Sequence, residues 1–289
     1  MMIVKRISVG LTVCGLMAFV GGCDIGGGAS VIPNVTVKLS ESDDTETGPG
    51  PGPGPGVKST GGGPGTLKGK VVFEGAVPKL ADLIAKGGAG KDPEVCAADN
   101  AIPNESLIVG DGNGVKNVFI YLSKAPKGAP KTEMPSEPAI FDQKGCQFLP
   151  HCLLLRKGQK LKILSDDPIA HNTHTFPAKN SSFNAGIKAG DREGTEIVYA
   201  SSESKPFAVK CDYHSWMNAY HLPLDHPYGA ISGDDGSFEI KDVPSGKHNF
   251  VIWHEGAKGG YLQRKYSVTI KAGETTEVSI PYPAGKFGN

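Results

Sequence analysis

The sequence predicts an all-β protein, because its apolar residues recur with a period of two and not with the helical period of 3.6. Val118, Ile120 and Leu122, for example, alternate with two aromatic residues that would face the other side of a sheet. Turn signals such as "DGNG", "SGDDG" and "VPSG" separate these runs. Only the stretch 80–86 has a composition that would suit a short helix.

Further strands are predicted where the same alternation returns toward the C-terminus. These runs contain Phe207, Val209 and Cys211; Phe238 and Ile240; Tyr266, Val268 and Ile270; and Val278 and Ile280. Alternation with one apolar face is typical of antiparallel sheets that pack face to face. We therefore expect a β-sandwich or a partly open barrel.

The N-terminus has the charge layout of an export signal. Lys5 and Arg6 precede an apolar run, residues 7–20, that is too short to span a bilayer. The following "FVGGC" resembles a bacterial lipobox, which implies cleavage after a signal peptide of residues 1–22 and a lipid on Cys23. The alternative is a plain secretory signal cut near this point. Both kinds of signal predict a mature protein that works outside the cytoplasm.

Residues 23–65 are predicted to be a flexible, lipid-anchored linker. The stretch is poor in apolar residues and contains "GPGPGPGPG", in which proline lacks a backbone donor and glycine lacks a side chain. About 220 residues remain after it, enough for one large or two small β-domains.

The balance of positive and negative residues gives no indication of a basic surface that would bind nucleic acid. The chain has 30 Lys+Arg and 30 Asp+Glu. Loss of residues 1–22 removes Lys5 and Arg6 and no acid, so 28 basic residues would face 30 acidic ones, a net charge of −2. Such a balance predicts neither a nucleic-acid partner nor a strongly charged docking partner.

Four cysteines remain if Cys14 leaves with the signal and Cys23 carries lipid. In an oxidising compartment an even number can form disulfides throughout. One interpretation pairs Cys96 with Cys146 and leaves Cys152 as a small buried residue. The competing interpretation pairs Cys152 with Cys211 in a second disulfide.

The C-terminal part, residues 229–282, resembles the later strands of a carboxypeptidase regulatory-like, transthyretin-type β-sandwich. The stretches "TLKGKVVFEGAVP" and "GVKNVFIYLSKAP" resemble its earlier strands. The resemblance implies that one sandwich is built from two separated pieces, with another domain inserted in it or fused to it. The predicted division is 66–126 plus 228–289 for this sandwich and 127–227 for the other domain.

The inserted part resembles the cupredoxins, most closely amicyanin. The resemblance is carried by "DDPIAHNTHTF" (166–176) and by "VKCDYHSWM" (209–217), which has the spacing C-x2-H-x2-M. It implies a Greek-key β-sandwich and one type 1 (blue) copper per chain. The implied ligands are His171, Cys211, His214 and Met217.

The residue types also suit copper on chemical grounds. Two imidazoles, a thiolate and a distant thioether serve an ion that alternates between Cu(I) and Cu(II). Cys211 ends an alternating run with Phe207 and Val209, so its sulfur should point inward. Taken singly, each donor would be an ordinary surface or core residue. The resemblance further implies that Asn172 steadies the thiolate loop by hydrogen bonding.

The other histidines are not spaced like known metal ligands as clearly as His171 and His214 are. His174 lies three positions beyond His171 on a predicted strand and should face away from the site. His151, His221, His226 and His254 have no fixed metal spacing, and whether they form a second zinc or copper site is open.

The function expected from these features is a membrane-tethered carrier of single electrons. The chain contains no G-x-S-x-G, H-E-x-x-H or Walker pattern, so we do not expect an enzyme or a small-molecule substrate. The expected partners are a redox protein and, through the lipid, a membrane of the bacterial cell envelope. The alternatives are copper storage or delivery, and a structural or adhesive surface lipoprotein without metal.

Overall fold

The computed structural model describes residues 63–288, and within them the fold is all-β, as the alternation predicts. The predicted signal peptide, Cys23 and the linker as far as residue 62 lie outside the described residues. No helix in the described part is long and apolar enough to cross a membrane. The strands are β1 (Gly65–Glu74), β2 (Phe119–Leu122), β3 (Ala139–Lys144), β4 (Gln147–Leu149), β5 (Cys152–Arg156), β6 (Lys160–Ile163), β7 (His171–Thr175), β8 (Asn184–Ile187), β9 (Thr195–Val198), β10 (Phe207–Lys210), β11 (Asn218–Leu224), β12 (Gly229–Ile231), β13 (Ser237–Val243), β14 (Gly246–Trp253), β15 (Tyr261–Ile270) and β16 (Thr275–Pro283).

Two of the four sheets combine early and late strands of the chain. One has the order β13-β1-β16 and the other the order β12-β2-β14-β15. Strand β1 runs parallel to β16 and antiparallel to β13. The core that these strands supply includes Leu67, Val71, Ile120, Phe250 and Ile280, all fully buried.

The other two sheets are formed by the middle of the chain. Their strand orders are β5-β11-β10-β7-β8 and β4-β3-β6-β9. Alternate residues of β10 and its neighbours point into a separate core that contains Phe141, Leu161, Ile163, Val209 and Cys211. The side-chain period of a strand places the cysteine inside, because Val209 and Cys211 share a face.

Strand β2 is buried on both faces, which explains why all four of its residues are apolar or aromatic. Ile120 faces the first core, whereas Phe119 and Tyr121 belong to a third cluster with Leu222 and Trp253. This third cluster joins strands of early, middle and late segments. The predicted division into 66–126 plus 228–289 and 127–227 stays a prediction.

The prediction of a helix around residues 80–86 is wrong. Ile84 instead forms an isolated β-bridge with Ile102. The long connection after β1 folds against the second core, and Cys96 in this connection is bonded to Cys146. Cys152 and Cys211 are free and buried. Contacts between residues that are far apart in the sequence thus outweigh the local preference for a helix.

Candidate metal centre

Cys211 directly follows β10, which is held between two antiparallel neighbours. Phe207 pairs with His221 of β11, and Val209 pairs with Thr175 of β7. The Cys211 side chain is 2% exposed. Its sulfur accepts a hydrogen bond from the backbone N–H of Asn172, at 3.4 Å. The register of β7 and β10 therefore sets where the thiol lies.

His214 is brought back toward Cys211 by a tight loop. The Met217 N–H donates to the His214 carbonyl at 2.9 Å, and the Cys211 N–H donates to the Met217 carbonyl at 3.2 Å. These bonds close the loop between β10 and β11. Met217 is buried in the same core as Cys211.

Three potential ligand atoms converge in this structure. His171, the first residue of β7, has its Nδ1 3.0 Å from Nδ1 of His214. Nδ1 of His214 is 3.7 Å from Sγ of Cys211. One ligand atom from each of the three buried side chains lies within 4.8 Å of the others. Both histidines are completely buried, so protein surrounds this cluster.

Two carboxylates hold the outer edges of the imidazoles. Oδ2 of Asp167 lies 2.8 Å from Nε2 of His171, and Oδ2 of Asp92 lies 2.8 Å from Nε2 of His214. An ionised carboxylate only accepts, so each Nε2 carries the donated proton. Nδ1 of each ring is thereby directed at its counterpart and can serve as a ligand.

The pKa shifts follow from these contacts. Burial alone would lower the pKa of His171, but hydrogen bonds to Asp167 and Cys211 raise it to about 9. Burial alone would raise the pKa of Cys211, but hydrogen bonds from His171 and Asn172 hold it below its ordinary value. Burial lowers the pKa of His214. The hydrogen bonds thus favour the charged forms of His171 and Cys211, whereas burial disfavours the charged form of His214.

Asp167 is itself fixed by the disulfide segment. Its carboxylate accepts hydrogen bonds from the N–H groups of Gly145 and Cys146, at 2.6 and 2.8 Å. Burial opposes ionisation of Asp167, but these donors and His171 keep its pKa below the ordinary value. Cys146 also lies near Asp167 and His171, but its sulfur is bonded to Cys96 and cannot act as a thiolate ligand.

Asn172 links the two loops that supply the donors. Its Nδ2 donates to Asp212 at 3.0 Å and to Asn184 at 2.8 Å. Its Oδ1 accepts the N–H of Asp212, the residue after Cys211. This places Asn172 where the resemblance expected a supporting residue. The contacts with Asp212 fix the backbone directly after the thiol.

The donor set fits the copper that the resemblance implies. Imidazole nitrogen and thiolate sulfur are the ligands that copper takes from proteins, and zinc accepts the same set. The low pKa of Cys211 favours the anionic ligand. A metal ligand must be deprotonated at its donor atom, so binding of a cation to these side chains should release protons.

The remaining histidines do not join this cluster. His174 is bonded to Asp212 at the protein surface. Within residues 63–288, no group of three ligating side chains includes the four other histidines of the possible second site. These are His151, His221, His226 and His254.

Sequence reasoning missed the two carboxylates. Asp167 lies four residues before His171 within the quoted "DDPIAHNTHTF", and a carboxylate so near a proposed ligand is a usable signal. Asp92 lies 122 residues from His214 in the chain. No pattern in the sequence connects these two.

One family model matches the chain over residues 200–278: polysaccharide lyase family 4, domain II. The carboxypeptidase regulatory-like assignment gains no support from this match and stays a prediction. No curated protein matches the chain.

The similar solved structures include copper proteins. A Cu-containing nitrite reductase (NirK) from Thermus scotoductus SA-01 is 16% identical with a TM-score of 0.28, and 36% of this chain aligns with 25% of the reductase. Amicyanin from Paracoccus versutus is 11% identical with a TM-score of 0.27, covering 38% of this chain and 99% of amicyanin. A purple cupredoxin from Nitrosopumilus maritimus is 17% identical with a TM-score of 0.25, covering 30% and 99%. At these TM-scores the likenesses carry no weight for function.

Proposed function

We propose that this chain binds one copper ion through His171, Cys211 and His214 and carries single electrons. The observation that carries the proposal is the convergence of the imidazole Nδ1 atoms of His171 and His214 with the thiol of Cys211. A copper ion held by these residues would supply reversible one-electron chemistry. Met217, which is buried in the same core as Cys211, is proposed as a further, weakly bound ligand, as the resemblance implies.

The protein's own residues would keep the donors in one arrangement. Asp167 and Asp92 fix the ring orientation of the two histidines, and Asn172 fixes the loop that carries Cys211. Donors that cannot move keep the reorganisation small when the charge of the bound ion changes. The near-complete burial of the cluster also excludes bulk water, and this too keeps the reorganisation small.

Burial also favours a carrier over a storage or delivery protein. A delivery site must release its ion to a partner, so at least one ligand should be accessible. Here the two histidines are fully buried and Cys211 is 2% exposed. The free thiols of Cys152 and Cys211 weigh against the adhesive alternative, which expects every cysteine in a disulfide.

The proposed place of action is the bacterial cell envelope, on its periplasmic or outer face. Cys23 would anchor the protein through a lipid, and the linker that follows would let the folded part reach a redox protein. We propose no catalytic activity and no nucleic-acid partner. These proposals depend on the sequence features of the N-terminus and on the charge balance.

The test is to load the purified full chain with Cu(II) and to record its visible and paramagnetic resonance spectra. We expect intense absorption from charge transfer between thiolate and copper, and reversible one-electron cycling. Cys211→Ser should remain pale. Cys152→Ser is the matched control, because it changes the other free buried thiol, and it should keep the colour.

Three results would separate the candidates. Colour that survives Cys211→Ser would remove Cys211 from the centre. Tight binding of zinc with no copper colour would indicate a structural metal site, and rapid loss of copper to a chelator would favour delivery. Absence of binding by any of these ions would leave the non-metal interpretation.

A further inference from the structure

The Cys96–Cys146 disulfide lies against the metal centre. It joins the long connection after β1 to the turn between β3 and β4, and both of its cysteines are fully buried. Sγ of Cys146, a carboxylate oxygen of Asp167 and a ring nitrogen of His171 lie within 4.8 Å of one another. These side chains form a second group of three potential ligands, which shares His171 with the first group.

A two-residue turn fixes the position of Cys146. Lys144 at the end of β3 pairs with Gln147 at the start of β4, so Gly145 and Cys146 alone connect the two strands. Their φ angles are +61° and +57°, as a type I′ hairpin turn requires. A positive φ is unfavourable for cysteine, and residues held in this way are concentrated at functional sites. The turn also directs both of its N–H groups at Asp167.

Asp167 and His214 lie at opposite edges of the His171 ring. Nε2 of His171 is 2.8 Å from Asp167, whereas Nδ1 is 3.0 Å from Nδ1 of His214. An imidazole can bind a metal ion through either nitrogen. A cation held between Asp167 and Nε2 would replace the proton that Nε2 donates to the carboxylate. The ring can therefore serve a second ion at the edge that faces Asp167.

We propose that Cys146, Asp167 and His171 form a second metal site, suited to zinc, which the disulfide keeps closed. Thiolate, carboxylate and imidazole are the three ligand types that zinc takes from proteins. The sulfur of Cys146 can bind a metal ion only as a thiolate, and its bond to Cys96 prevents this. The disulfide thus limits the chain to one metal centre and leaves Asp167 to orient His171. The zinc site does not depend on the copper function proposed above.

The experiment compares zinc binding by three variants of the full chain in detergent, all of which carry Cys211→Ser. This background removes the thiol of the first centre, so zinc bound elsewhere can be counted, and it prevents a freed Cys146 from pairing with Cys211. Cys211→Ser alone keeps the disulfide. Cys96→Ser/Cys211→Ser frees the thiol of Cys146, and Cys146→Ser/Cys211→Ser frees the thiol of Cys96. The two double variants are matched, because both lose the same cross-link.

We expect Cys96→Ser/Cys211→Ser to bind one zinc ion at least about 100-fold more tightly than the other two variants. Loss of a residue that only supports a ligand already weakens metal binding by up to about 100-fold, and here a ligand itself differs. Affinity is measured by competition with a zinc chelator. Co(II) in place of zinc should give absorption from charge transfer between thiolate and metal in this variant alone.

The carboxylate is tested in the same way. Asp167→Asn, added to Cys96→Ser/Cys211→Ser, should weaken zinc binding because an amide offers the ion no negative charge. Asp166→Asn is its control, since Asp166 pairs with Lys144 at the surface. Equal effects of the two changes would remove Asp167 from the site.

Equal zinc affinity of the two double variants, with circular dichroism showing both to be folded, would overturn the proposal. A second measurement needs no change at Cys96 or Cys146. The folded Cys211→Ser protein is treated with a phosphine reductant, which is oxidised to the phosphine oxide while the disulfide takes up two electrons and two protons. Uptake of Zn(II) should follow the loss of the disulfide. Reduction without uptake of zinc would equally contradict the proposal.

Discussion

His171 and His214 face each other with their Nδ1 atoms 3.0 Å apart, although 43 residues separate them in the chain. Each ring is oriented from behind by a carboxylate, Asp167 for His171 and Asp92 for His214. The two carboxylates come from different segments: the Cys96–Cys146 disulfide ties the segment of Asp92 to residues 145 and 146, whose N–H groups donate to Asp167. The geometry of the pair thus depends on three distant parts of the chain.

Asp167→Asn should lower copper affinity about 10- to 100-fold, the effect typical of removing the hydrogen-bond partner of a ligating histidine. An amide can present its NH₂ group to Nε2 and favour the wrong tautomer of His171. Affinity is measured by competition with a Cu(I) chelator. The neighbouring variant Asp166→Asn is the control, since Asp166 pairs with Lys144 at the surface. Equal affinities of the two variants would contradict this role of Asp167.

Met217→Leu should keep copper bound but change the reduction potential. A leucine of similar volume preserves the packing of this buried position and removes the sulfur. A weak axial ligand tunes the ion more than it holds it. Protein voltammetry gives the potential, and Met134→Leu, which alters an exposed methionine, serves as the control. An unchanged potential would show that Met217 only fills the core.

Asn172→Ala should destabilise the folded protein by about 1–3 kcal/mol, because it removes a buried side chain that hydrogen-bonds to the Asp212 carboxylate and backbone N–H. It should also broaden the copper spectrum, since the loop next to Cys211 is no longer fixed. Urea unfolding and paramagnetic resonance measure the two effects. Asn100→Ala, at an exposed site, provides the comparison. A normal spectrum in Asn172→Ala would limit Asn172 to a structural role.

His151 should make stability fall at alkaline pH. Burial alone would lower its pKa, but hydrogen bonds to Glu105 and Glu255 raise it to about 9. Because the folded pKa exceeds the unfolded value of about 6.5, the stabilisation is complete below pH 6.5 and is lost as pH rises through about 9. The shift corresponds to at most about 3 kcal/mol.

Urea unfolding between pH 6 and 10 tests this dependence. His151→Gln should flatten the decline in stability, and His248→Gln, which changes a histidine that hydrogen-bonds to the Pro244 carbonyl and to neither glutamate, is the comparison. An identical pH slope in His151→Gln and the unmodified protein would contradict the assigned role. The measurement uses metal-free protein, so copper ligands contribute equally to both.

The alternation of apolar residues was enough to predict an all-β fold and most of its later strands. That signal is local, because side chains two apart on a strand share a face. The prediction of a short helix around residues 80–86 was wrong because it rested on local composition alone. In the folded chain Ile84 pairs with Ile102, a contact that local composition does not reveal.

The sequence by itself determined which residues are proposed as copper ligands, since the spacing of Cys211, His214 and Met217 and the stretch around His171 are properties of short segments. Only the tertiary structure decided what surrounds them: that Asp92 reaches His214 and that Cys96 bonds Cys146. These relationships depend on strand register and on the packing of distant segments, and the energy of such contacts exists only once the chain has closed the loops between them.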